Sequence, residues 1–161
     1  MIKVGHLSSA HNRFDTRIFY KQCQSLANDN RTVSLVIADG LGNEIKDNIS
    51  IFDVGKQKNR FRRIFKSSND VYKKALELNC NIYHLHDPEL IRIGLKLKRD
   101  GKKVIFDIHE NIALQILSKE YVPKILRKII SKIYRFYKIK KLKKFDALII
   151  AEHSYKKYYS S

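Results

Sequence analysis

The feature that most constrains this chain is an alternation of apolar runs with helical patterns, repeated from residue 2 to residue 152. "IKVGHL" (2–7), "RTVSLVIAD" (31–39), "ISIFDVG" (49–55), "NIYHLHD" (81–87), "KKVIFDIHE" (102–110) and "FDALIIAE" (145–152) read as strands. Between them, 15–29, 59–79, 88–101 and 123–144 space their apolar residues as a helix with one buried face does. Ile18, Phe19, Gln22, Cys23 and Leu26 mark the inner face of the first helix; Ile64, Val71, Ala75 and Leu78 mark that of the second. Asp15 or Thr16 is placed to cap the first, and Pro88 opens and Gly101 closes the third. The strands are apolar throughout rather than at every second residue, so both faces of the sheet must be covered. Strand–helix–strand units joined by right-handed crossovers give a Rossmann-like, doubly wound α/β domain with a mostly parallel sheet. The 161 residues fit one such domain over 1–161, with no repeat, low-complexity linker or internal boundary.

In a sheet of this kind ligands sit at the carboxyl ends of the strands. The first strand delivers "HLSSAHNRFDTRIFY" there, with Ser8, Ser9, His11, Asn12, Arg13, Asp15, Thr16 and Arg17 and no glycine. The strand at 81–87 delivers His86 and Asp87, then Glu89; the strand at 102–110 delivers Asp107, His109, Glu110 and Asn111; the last delivers Glu152 and His153. His6, His11, His86, His109 and His153 lie at or near that edge, with His84 close by. Such a polar rim on a basic domain suits a ligand with hydroxyls and phosphate. Other readings stand beside this one. Asp15 and Arg17 suffice for a local cap and ion pair. His84 and His86 share a strand face, as do Asp107 and His109, but a metal needs three or four converging ligands. His84 alone also suits a hydrogen-bonded core position. No G-x-G-x-x-G follows the first strand, which argues against a dinucleotide, and no nucleophile elbow is present.

Three stretches in register, "SSAHNRFDTRIFYKQCQSLA", "YHLHDPEL" and "VIFDIHEN", resemble the amino-terminal domain of bacterial GT-B glycosyltransferases of the retaining family 4. "KFDALIIAE" is similar to the strand before that domain's closing helix. The resemblance covers essentially the whole chain. It implies the acceptor-binding half of an enzyme that moves a sugar from a nucleotide-sugar to a lipid-linked or polysaccharide precursor. It implies no metal and no cofactor, the leaving diphosphate being neutralised by cationic side chains and helix amino ends. His109 matches the histidine that contacts the donor sugar near the reacting carbon and is the implied catalytic residue. His86, Asp87 and Glu110 would line the acceptor side; Ser9, His11, Asp15 and Arg17 would face the donor phosphate and acceptor. The chain departs from the family in lacking a Gly-Gly loop after the first strand. The carboxyl-terminal nucleotide-sugar domain, with its glutamates spaced eight apart, is expected to lie outside 1–161, so this chain reads as the first half of a longer or split enzyme.

Charge narrows the partners. Lys and Arg number 33 against 16 Asp and Glu, a net charge of +17 that attracts polyanions. "PKILRKIISKIYRFYKIKKLKK" (123–144) carries ten of those basic residues and no acid. Leu126, Ile129, Ile130, Ile133 and Tyr137 are expected to pack this helix on the sheet. That leaves Lys124, Arg127, Lys128, Lys132 and Arg135 outward, toward an anionic membrane surface or as a merely solvated face. No nucleic-acid module is present, so no dedicated nucleic-acid partner is expected. Cys23 and Cys80, in separate apolar patterns, read as buried thiols. No signal peptide or apolar stretch of about 20 residues occurs, and the expected place is the cytoplasm, peripheral to the membrane. The alternative function is a free-standing glycan- or membrane-binding module without catalysis.

Overall fold

The computed structural model describes residues 1–59, 63–108, 123, 125, 126, 128, 132, 136 and 140–151. Seven strands form one sheet: β1 (Lys3–Leu7), β2 (Thr32–Ile37), β3 (Glu44–Lys46), β4 (Ile49–Asp53), β5 (Ile82–Leu85), β6 (Lys103–Ile108) and β7 (Ala147–Ile150). Their order is β3-β4-β2-β1-β5-β6-β7, and every neighbouring pair is parallel except β3 with β4. The six parallel strands have the doubly wound order that reverses at β1, which opens a crevice between β1 and β5 at their carboxyl ends.

β3 was not among the expected strands. Asp47 and Asn48 both take positive φ, 50° and 59°. Two such residues make the tight turn whose twist suits a hairpin, and Asp and Asn tolerate that backbone better than most residues. The turn folds three residues back onto β4 and closes that edge of the sheet.

A helix precedes each of β2, β5 and β6. Thr16–Cys23 is π-helical and runs into α1 (Gln24–Asn28); Arg63–Ser67 is π-helical and runs into α2 (Ser68–Leu78). A 3₁₀ turn, Pro88–Leu90, leads into α3 (Ile91–Arg99). The first π segment departs from the regular helix expected over 15–29, and its wider turn has a geometric consequence. Residues five apart lie about 140° apart around an α-helix; the i→i+5 register brings them nearer one face. Arg17 and Gln22 are five apart, and both reach the same carboxylate, described below.

Ile18, Phe19 and Cys23 pack with Val33, Leu35, Ile37, Ile49 and Ile51 on one face of the sheet. The other face holds the larger cluster, in which Leu7, Tyr83, Leu85 and Phe106 meet α2, α3, Leu142 and Phe145. Gly94 of α3 is required here: a Cβ would stand 2.8 Å from Phe145 Cζ and 2.9 Å from its Cε1. Cys23 and Cys80 are buried in opposite clusters, and burial pushes the Cys23 thiol up to about 12.

Residues 125, 126, 128, 132, 136 and 140–142 are helical, within the expected 123–144. Lys128 and Lys132 are exposed as expected. Leu126, assigned to the packed face, is instead 48% exposed, and Ile125 and Phe136 are more so. Lys124, Arg127, Arg135, Ile129, Ile130, Ile133 and Tyr137 lie outside the described residues. No helix among the described residues is long and apolar enough to cross a membrane.

Candidate functional site

The loop after β1 runs along the carboxyl edge of the sheet, and five of its polar side chains, Ser8, Ser9, His11, Arg13 and Arg17, engage carboxylates delivered by other strands. Asp87 follows β5 across the crevice and is 2% exposed. Its Oδ2 accepts the Ser8 hydroxyl at 2.9 Å and the Ser9 amide at 2.6 Å, and its Oδ1 lies 2.9 Å from His11 Nδ1. Burial alone pushes an acid up; the His11 ring, the Ser9 amide and the Ser8 hydroxyl outweigh it and hold Asp87 below the usual carboxylate range. Ser8 Oγ also accepts the backbone N–H of His11 at 3.1 Å, and Ser9 Oγ reaches Glu89 at 3.3 Å.

Arg13 reaches the opposite way. Its Nε and Nη2 donate to the two oxygens of Asp39, each at 2.7 Å, and Nη1 donates to Glu44 at 2.5 Å. The Asp39 bonds, then Glu44, raise the guanidinium pKa against the opposing effect of burial. Arg13 thereby ties the loop to the β2 end and to β3. The turn it grips is itself built on Asp53, whose carboxylate takes the backbone N–H groups of Asp39, Gly40, Gly42 and Gly55.

Asp15 caps the helical segment: its Oδ1 accepts the N–H of Arg17 and of Ile18, both at 2.9 Å. Arg17 then grips Asp107 of β6 with Nε at 3.0 Å and Nη2 at 2.9 Å, and Gln22 donates to the same carboxylate at 2.6 Å. The Asp107 side chain has no exposed surface, whereas a third of Arg17 remains open to solvent.

Beneath this network lie three buried imidazoles. His6 and His84 face each other across the β1–β5 pair, and His86 is the next residue of that face along the chain. His6 Nδ1 and His86 Nε2 share a hydrogen bond of 3.0 Å. Asp107 Oδ2 lies 3.8 Å from His86 Nδ1 and 3.9 Å from His84 Nε2. Burial first, and the neighbouring His84 second, keep His6 well below its ordinary 6.5, in the neutral form. The nitrogens of the three fall within 4.8 Å of one another, the one metal-type grouping among the described residues. A divalent ion there would have to share the nearby Asp107 with Arg17, leaving buried charge uncompensated. That charge balance makes the cluster a poor fit for a divalent ion.

Ser9, His11, Asp15, Arg17, His86 and Asp87, singled out from the sequence, are thus brought to one edge. Ser9, His86 and Asp87 are buried, and they meet the surface through His11 and Arg17, which are 28% and 33% exposed on their side chains. His109 and Glu110 lie outside the described residues. Sequence reasoning placed Arg13 and His6 at or near this edge without giving either a role, and did not bring Gln22 to it. Gln22 gave a signal, a polar side chain on an otherwise apolar helix face; the others depend on which strands become neighbours.

No known family's sequence profile matches the chain, and no curated protein matches it in sequence. Solved structures do. Sucrose-phosphate synthase from Thermosynechococcus elongatus superposes with a TM-score of 0.68 at 12% identity, over 100% of this chain and 46% of that one. A Listeria monocytogenes protein described as a UDP-N-acetylglucosamine 2-epimerase superposes with a TM-score of 0.57 at 13% identity, over 98% and 41%. At these identities the likeness shows the fold, the Rossmann-like half of a GT-B architecture, and the chain spans less than half the length of either protein.

Proposed function

We propose that this chain is the acceptor-side half of a retaining glycosyltransferase that draws on a nucleotide-sugar donor. The observation that supports it most is the edge just described. At the point where strand order reverses, the loop after β1 is pinned to Asp87 and Asp107, leaving His11 and Arg17 at its surface. A whole-chain likeness to a sugar-phosphate synthase and to a nucleotide-sugar epimerase fits an edge of that kind.

In this reading the pinned loop is a preformed wall. Its backbone cannot shift without breaking ion pairs, so an acceptor hydroxyl meets fixed donors and acceptors. Arg17 and His11 offer positive or donor groups to an anion near the loop, and His109, the next residue after β6 in the sequence, is the one proposed to meet the donor sugar. The acceptor is a lipid-linked or polysaccharide precursor, and exposed Lys128 and Lys132 attract an anionic membrane surface. Neither a metal nor a cofactor has a part in the proposed step.

The test is His109→Ala in the longest natural product of the gene. Sugar transfer falls by more than about tenfold with the melting temperature unchanged; transfer at the wild-type rate would remove His109 from the step. A second reading draws on the engagement of the carboxylates. Asp87 and Asp107 are each held by several donors, which suits a rigid binding module better than a free general base. That module would bind glycan without turnover when every other domain of the gene product is present.

A further inference from the structure

On the outer surface of the helical layer, between α3 and residues 140–144, runs a groove of about 460 Å³. Arg92, Lys96, Lys98, Arg99, Lys141 and Lys144 line it around Leu95, and no acid is among them. α3 descends from the carboxyl edge of the sheet to Gly101 at the amino edge, and Lys141 and Lys144 lead into β7 at that same edge. The groove therefore belongs to another part of the surface than the loop of residues 8–17.

Helix electrostatics explain only some of these charges. Lys96, Lys98 and Arg99 occupy the last turn of α3, where cations complement the helix dipole. Arg92 sits in its first turn, where a cation is disfavoured, and no acid accompanies it within that turn. Lys98 is neutralised by Asp146, 2.9 Å from both oxygens, and Asp146 is shared with Lys103. Lys96 lies over the Tyr72 ring at 4.9 Å. Arg92, Arg99 and Lys144 have no ion-pair partner among the described residues. Like charges gathered around one concavity repel, and an anion of several charges relieves that repulsion. The volume is that of a small-ligand site, in the range of about 300–1,000 Å³. Two guanidinium forks beside lysines suit phosphate oxygens, which accept bidentate pairs, better than a single carboxylate.

We propose that this groove binds a phosphate-bearing anion, presented either by a soluble ligand or by a lipid headgroup. The site goes beyond the glycosyl-transfer reading and stands or falls without it.

The experiment titrates the chain with inorganic pyrophosphate by calorimetry. In parallel, its sedimentation with vesicles of equimolar phosphatidylglycerol and phosphatidylcholine is measured, both at about 0.15 M salt. Arg92→Glu/Arg99→Glu is compared with Lys21→Glu/Lys58→Glu, which removes the same charge at exposed positions outside the groove. Saturable pyrophosphate binding is expected in wild type and in the control pair, weakened about tenfold or more in the groove pair. The same pattern with vesicles assigns the phosphate to a headgroup; pyrophosphate binding without vesicle capture assigns a soluble ligand. Binding to neither probe, or equal weakening in both double variants, would overturn the proposal and leave only the diffuse field of a +17 chain. Melting temperatures check that both variants are folded.

Discussion

Arg17 and Asp107 join the first helical segment to β6, ninety residues away in the chain, and the strength of that join follows from the geometry. Replacing Arg17 by Met keeps the apolar stem and removes the fork, leaving the Asp107 carboxylate buried with Gln22 as its remaining donor from that segment. Breaking a buried pair from one side costs about 3–5 kcal/mol. Because a third of Arg17 is solvent-exposed, screening reduces that to about 2–3 kcal/mol. Asp107→Asn costs a similar amount, since it removes the carboxylate charge to which both Arg17 N–H groups donate. The double variant then costs little more than either single one, a coupling of about 2 kcal/mol. Urea denaturation reads this directly: at a slope of about 2.5 kcal/mol/M, each single variant lowers the midpoint by roughly 1 M. If the two single effects simply add in the double variant, the pair does not act as a unit, and the account of the loop as a pinned wall fails.

Gly94→Ala drives a methyl into Phe145, at 2.8 Å, and is expected to cost about 1–3 kcal/mol by overpacking; hydrogen exchange should quicken across 142–150 before it does in β1. Stability should also fall on acidification. His6 is held below 6.5 in the folded chain, so the unfolded chain gains a proton there first. Its contribution is complete above that pH and is lost at about 1.4 kcal/mol per pH unit below it. Asp87, also lowered, adds a second loss at pH values below the ordinary carboxylate pKa. Urea midpoints that stay level from neutral pH to about pH 5 would contradict the buried neutral imidazole.

The parallel sheet was legible because each of its strands is a continuous apolar run, a pattern that only a doubly covered sheet explains. β3 was not: three residues, Glu44–Lys46, carry no apolar run, and their one signal is the Asp47–Asn48 turn. The candidate edge was legible in part, since topology alone places Ser9, His86 and Asp87 at strand ends. What those groups do there was not. Arg13 could not be assigned to Asp39 and Glu44, nor Arg17 to Asp107, because the pairings depend on strand order and on the π-helical turn that aligns Arg17 with Gln22. His6 was placed near the edge from the sequence, but its pairing with His84 and His86 appears only once the β1–β5 register is set. The exposed Leu126 was misplaced by periodicity, which shows that a helix has an apolar face but not that anything covers it.

The measurement that bears most directly on the central proposal is the anomeric configuration of the product. The longest natural product of the gene would be supplied with nucleotide-sugars and a lipid-linked acceptor, and the new glycosidic linkage followed by NMR. The account predicts transfer with the donor's configuration retained, and loss of that transfer in His109→Ala. Inversion at the anomeric carbon would contradict the retaining mechanism, and binding of glycan with no new linkage would contradict the glycosyltransferase reading altogether.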